Sequence, residues 1–113
     1  MIGIKDAYPF LTNLLGEDAD QVLHIVKITI EGLERDLLEL AEAISLKDRV
    51  FARNTLHRMR SSLGHMAMND VLTVMPRSRD EDLWERIPTF IIALKEELAR
   101  QKKIIIQVEK TLL

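Results

Sequence analysis

The stretch "VKITIEGLERDLLELAEAI", residues 26–44, places Val26, Ile30, Leu33, Leu37, Leu40 and Ile44 at successive steps of 4, 3, 4, 3 and 4. Steps of three and four keep side chains on one side of a 3.6-residue helix, so the stretch predicts a long helix with one buried stripe. Lys27, Glu31, Glu34, Arg35 and Asp36 interrupt it. They rule out a bilayer span, which needs about 18 apolar residues in a row. Upstream, "EDAD" (residues 17–20) offers carboxylates that can cap the helix and face the positive end of its dipole, setting its start at about residue 19. Downstream, "SLKD" (residues 45–48) ends it, and Ser45 or Asp48 can cap a second helix.

The same spacing recurs in Ala52, Leu56, Met59, Leu63 and Met66, predicting a second helix that runs to about residue 75. "MPRSRDED" (residues 75–82), with Pro76 and Ser78 among charges, reads as a loop. Ile87, Ile91, Leu94, Leu98, Ile105, Val108 and Leu112 then mark a third helix. Pro88 gives its start two readings: a fresh beginning near Thr89, or a kinked helix from about residue 79, which is preferred. Ahead of these, "YPFLTNLLG" has Pro9 at an early helical position and Gly16 just past an end, predicting a short helix over residues 8–15. The best strand pattern, "KIIIQV", continues a helical stripe. Long amphipathic helices joined by short connections bury their stripes against sequence neighbours in antiparallel order. Residues 67–100 leave room for a fourth member. The expected fold is therefore all-α: a single domain, residues 1–113, forming an antiparallel four-helix bundle with a short N-terminal helix.

Composition narrows the function. There is no cysteine, which removes disulfides, thiolate nucleophiles and cysteine zinc sites and suits a reducing compartment, so a cytoplasmic location is expected. Sixteen basic against eighteen acidic side chains leave a net charge of -2, too balanced for nucleic-acid binding by bulk charge. "MIGIKDAYPF" lacks the basic start and apolar core of a signal peptide. No H-E-x-x-H or paired Glu-x-x-His pattern occurs, and His57 and His65 lie about 12 Å apart along one helix, too far to share a metal. No glycine-rich phosphate loop is present. His24, among Val22, Leu23, Ile25 and Val26, reads as a hydrogen-bonded structural histidine. Met59, Met66, Met68 and Met75 recur along the second helix, where the members of the stripe read as core filling, and Tyr8 and Trp84 read as packing anchors.

What remains is "LHRMRSSLGH", residues 56–65. His57 lies about 100° around the helix from Leu56 of the buried stripe and therefore faces out. Steps of three and four from His57 reach Arg60, Ser61, Gly64 and Met68. Imidazoles titrate near neutrality and keep a ring lone pair available, which makes them nucleophiles suited to phosphoryl groups. A guanidinium one turn away can cover phosphoryl oxygens, and small neighbours let a partner surface come close. Arg49, Arg53, Arg58 and Arg60 make the helix locally basic. Spacing alone leaves open a plain solvated face, the commoner meaning of such a run.

At these residues the chain resembles the histidine-containing phosphotransfer (HPt) domains of bacterial and plant phosphorelays. Their central helix carries a pattern close to H-x-x-K-G-S-S, followed several residues later by a small residue, commonly Gly. Here "HRMRSSLGHMA" supplies His57, Arg60 where the family usually has Lys, Ser61 where it often has Gly, Ser62 in register, and Ala67 at the later small position. The similarity runs through "PFLTNLLGED", "LLELAEAISLKD" and "ARNTLHRMRSSLG" and so covers nearly the whole chain. The resemblance implies a phosphoryl carrier, not a turnover enzyme. His57 would accept a phosphoryl group on Nε2 from a receiver-domain phospho-aspartate and pass it to the aspartate of another receiver. Arg60 would stabilise the phosphoryl group, and Ser61, Gly64 and Met68 would form the receiver-docking surface. The receiver would bring Mg²⁺, so no cofactor or metal is expected in this chain. Implied partners are response-regulator receiver domains or a hybrid sensor histidine kinase, with no nucleic acid or membrane, and the carrier itself is a monomer. Two other readings stay open. One is an HPt-like docking module that binds a receiver or kinase without carrying phosphate, which the departures at Arg60 and Ser61 allow. The other is a helical assembly protein whose stripes pair with another chain.

Overall fold

A computed structural model describes residues 2–16, 18–77 and 79–112. Glu17 of the expected cap region and Ser78 of the expected loop lie outside the described residues. All regular structure among the described residues is helical, as the stripes require: α1 (Ile4–Ala7), α2 (Pro9–Leu15), α3 (Ala19–Leu46), α4 (Arg49–His65), α5 (Asn69–Thr73) and α6 (Leu83–Leu112).

Asp18 starts α3 by accepting a hydrogen bond from the Gln21 amide at 3.2 Å. Its other end closes through Lys47, held at φ 53. There the Asp48 amide donates to the Ala43 carbonyl at 2.9 Å and the Lys47 amide to that of Ile44 at 3.1 Å. Asp48 then caps α4, accepting from the Phe51 amide at 3.0 Å. This corner sends α4 back along α3, where Arg58 reaches Asp36 and Glu39.

The second helix ends ten residues sooner than its stripe suggests, at His65 rather than about residue 75. The chain turns through Ala67 at φ 53, with the Met68 amide donating to the Leu63 carbonyl at 3.0 Å and the Ala67 amide to that of Gly64 at 3.1 Å. Met66 is buried as the stripe demands, and Met68 and Met75 are buried as well, by way of a reversal and the short α5. Apolar spacing records burial, and burial does not require one continuous helix. A side chain at this positive φ is strained where glycine is not. Ala67→Gly is therefore expected to stabilise the fold by about 0.5–1 kcal/mol, read as a higher urea midpoint at unchanged slope.

The third long helix begins at Leu83, not at about residue 79, and runs unbroken past Pro88. Asp80 explains the later start: its carboxylate accepts from the Arg77 amide at 2.8 Å and from Arg86 at 2.6 Å, fixing a turn ahead of the helix. Pro88 is exposed, so the Trp84 carbonyl that lacks its usual amide partner lies where water can replace it. Ile87 and Phe90 on either side are fully buried and hold the helix through that point.

Ion pairs Lys27–Glu109 at 3.1 Å and Lys102–Glu34 at 3.0 Å show α6 running antiparallel to α3. Such exposed pairs add little stability. α3 packs on α4, α4 on α5, α5 on α6 and α6 on α3, while α1 packs against both α3 and α6, and α2 against α3. The long extent of 47 Å among 47 × 22 × 19 Å matches the lengths of α3 and α6, about 42–45 Å each. The core runs down the middle through Leu33, Leu40, Met59, Leu63, Ile87 and Leu94, all fully buried. Of the expected stripe positions, Leu37, Ile44 and Ile91 are half-buried at its edge and Leu112 is exposed.

Tyr8, between α1 and α2, ties the N-terminal end down. Its hydroxyl donates to Gln101 Oε1 at 2.8 Å, Gln101 Nε2 donates to Glu97 Oε1 at 2.9 Å, and Arg100 Nε donates to Glu97 Oε2 at 2.8 Å. Burial pushes the Tyr8 phenol up to about 12, with the Arg100 charge opposing. The folded chain thus holds this proton to a higher pH than the unfolded chain, whose tyrosine titrates near its ordinary value of about 10. The associated stability is fully present below about pH 10 and is lost as pH rises towards about 12. Tyr8→Phe is expected to cost about 1–2 kcal/mol at neutral pH. In urea titrations it should also flatten the fall in stability across that alkaline window relative to the parent.

Candidate functional site

The buried stripe of α4 fixes which of its faces meets solvent. Leu56, Met59 and Leu63 point into the core, and Thr55, also fully buried, returns its hydroxyl to the Phe51 carbonyl at 2.9 Å. The opposite face presents His57, Arg60, Ser61 and Gly64, all exposed. A Cβ built on Gly64 would meet nothing within 4 Å, so the surface there is open. Met68 does not join them. The reversal at Ala67 turns it inward, leaving it only 4% exposed, and its expected place on a docking surface is corrected accordingly.

His57 borders a surface cleft of about 240 Å³ walled by Arg53, Asn54, Leu56 and Arg60 of α4 and by Pro76. Pro76 arrives because the segment after Ala67 runs back along α4. Arg60 borders a second cleft with Leu72, Thr73 and Met75, and Arg49 donates to the Asp80 carbonyl. Arg53, Asn54 and Pro76 are site neighbours that sequence reasoning missed. The first two were available as positions one turn before His57. Pro76 depends on the reversal, which the apolar spacing hides.

In the basic run of α4, Arg58 is engaged by Asp36 and Glu39 of α3, and Arg49 by the Asp80 carbonyl. Arg53 and Arg60 border the cleft, one turn before and one turn after His57. His57 and Arg60 make no side-chain hydrogen bond or ion pair among the described residues. An exposed imidazole with the Arg60 guanidinium one turn away on the same solvent-open cleft offers a nucleophile and a cation suited to a phosphoryl group.

The other histidines lie elsewhere. His65 is the exposed last residue of α4. His24 is exposed beside Asp20, Lys27 and Glu109 and makes no hydrogen bond among the described residues, so the structural role expected for it does not hold. Among the described residues no group of three or more His, Cys, Asp or Glu converges as metal ligands would, and no helix is long and apolar enough to cross a membrane. Comparison with known proteins finds no matching family model, no matching curated protein and no matching solved structure.

Proposed function

We propose that this chain is a phosphoryl carrier of the histidine-containing phosphotransfer kind. His57 takes a phosphoryl group from the phospho-aspartate of one receiver domain and hands it to the aspartate of another. The observation that carries the reading is the exposed His57 in a cleft walled by Arg53 and Arg60, on the helix bearing the resembling motif. In the accepting step the Nε2 lone pair attacks phosphorus, the N–P bond forms, and the acyl-phosphate P–O bond breaks. The receiver carboxylate leaves with the bonding pair, and Nδ1 keeps its proton. The return step reverses this. Charge in the loose transition state spreads over three phosphoryl oxygens, which Arg60 covers from one turn away. Mg²⁺ belongs to the receiver, and exposed Ser61 and open Gly64 leave room for its loops.

Ala67 supports the motif's register, since its left-handed backbone falls where the resembling pattern commonly has Gly. On this reading the scaffold is a single-domain antiparallel four-helix bundle whose fourth member is the shortened segment containing α5. It acts as a cytoplasmic monomer, with receiver domains or a hybrid sensor histidine kinase as partners. A reconstituted relay tests the reading. Phosphate placed on one receiver should reach the aspartate of a second only when this chain is present. A receiver that binds the chain yet never transfers phosphate through it points to the docking module. Self-association at micromolar concentration in sedimentation points to the assembly protein.

A further inference from the structure

We infer that the second cleft, lined by Arg60, Arg77 and Arg86, seats a carboxylate-bearing loop of the receiver, with Arg77 as the docking residue that meets it. The inference rests on the carrier reading and names what the partner of that site presents. The cleft holds about 470 Å³ and joins three parts of the chain: Arg60 of α4, Arg77 after α5, and Arg86 of α6. Asp80 ties two of them together, since its Oδ2 accepts both from the Arg77 amide at 2.8 Å and from the Arg86 guanidinium at 2.6 Å. Three guanidiniums stand against that one carboxylate, so the cleft stays positive with Arg86 paired. Arg77 is exposed, while half-buried Leu72 and buried Met75 supply an apolar floor that lengthens the reach of the charges. The surrounding sequence agrees: residues 49–79 carry six arginines and no lysine against the one carboxylate of Asp70, in a chain whose net charge is -2. A guanidinium binds a carboxylate through two parallel hydrogen bonds, which a lysine does not. Arg60 borders both this cleft and the one beside His57, so a partner that brings a phosphoryl group to His57 reaches the rim of the second cleft at the same residue. The chemistry of the receiver supplies the complement. Its Mg²⁺ is held by carboxylate oxygens and its phospho-aspartate adds further negative charge, so the face that meets His57 is acidic. The overall negative charge of the chain suits a nucleic-acid backbone less well.

Receiver domains that label the parent are selected from a panel, and their association with the parent, Arg77→Gln, Arg77→Glu and Arg77→Lys is followed by stopped flow at about 50 mM and about 300 mM salt. At the lower salt Arg77→Glu is expected to slow association about tenfold and Arg77→Gln about threefold, with both differences shrinking at the higher salt. Arg77→Lys keeps the charge and should stay near the parent. Phosphoramidate separates docking from chemistry because it donates without a protein surface: its N–P bond breaks, ammonia leaves, and the new N–P bond forms at the His57 imidazole. Phosphohistidine formed from it at the higher salt, read by ³¹P NMR, should match the parent in Arg77→Glu, and an equal loss there would place Arg77 at the chemistry and overturn its docking role. A lowered thermal melt with slowing that persists at the higher salt marks a structural role and also overturns the inference. So does oligothymidine that binds the parent more tightly than any receiver and is released by Arg77→Glu, which gives the cleft to nucleic acid. A receiver that labels the parent on His57 and associates equally fast with Arg77→Glu at the lower salt overturns the inference and leaves the carrier reading standing. A panel in which no receiver labels the parent overturns both.

Discussion

Truncating Phe90 to alanine is expected to destabilise the fold by about 3–5 kcal/mol. Phe90 is the largest fully buried side chain, and it sits on the inner face of α6 between Ile87 and Leu94, both also fully buried. Removing its ring leaves a cavity that neighbours on long, well-anchored helices can fill only in part. Pro88, two residues earlier, restricts how the backbone could shift to close it. Against a typical total of about 5–15 kcal/mol, the loss should bring the urea midpoint down by about a fifth or more. Ile92 provides the internal control. It lies two residues further along α6 and is 60% exposed, so Ile92→Ala should stay within about 0.5 kcal/mol of the parent. Equal losses at the two positions would mean that α6 buries a different face.

His57→Gln is expected to abolish phosphate acceptance while leaving stability within about 0.5 kcal/mol of the parent. Glutamine keeps a polar, hydrogen-bonding group at an exposed helical position, so the scaffold has no reason to change. Its amide nitrogen has no free lone pair, because amide resonance uses it. The cationic cleft would remain and could still bind a phosphorylated receiver, so binding and transfer should separate in this variant. Removal of Arg60 should behave differently, slowing transfer without abolishing it, because the nucleophile remains and Arg53 still borders the cleft. A loss of stability in His57→Gln matching its loss of label would indicate a structural histidine.

Much of the scaffold was legible from apolar spacing. The stripe from Ala52 to Met66 and the positions Val26, Ile30, Leu33 and Leu40 are all buried, because every third or fourth side chain on a helix must find a partner. Asp48 was legible as a cap, and it caps. The reversal at Ala67 was not. An alanine at positive φ gives no glycine signal, and the stripe from Ala52 to Met66 reads the same whether the helix continues or folds back. The same blind spot misplaced Met68 on the surface and concealed Pro76 as a wall of the cleft. His57 and Arg60 were legible because their neighbour Leu56 fixes the inward side, and one step of 100° then sets them outside. Arg53 was readable by the same arithmetic one turn back, but it stood within a basic run in which Arg49 and Arg58 serve the scaffold.

The most direct test of the carrier role is to locate the phosphate itself. The chain is incubated with a series of phosphorylated receiver domains, and any label is checked for acid lability and alkali stability and then assigned by fragmentation of the intact protein at high pH. The expected result is a single acid-labile phosphate on His57 in the parent and none in His57→Gln. A receiver that binds but leaves the parent unlabelled, or a label that persists in His57→Gln on His24 or His65, would contradict it.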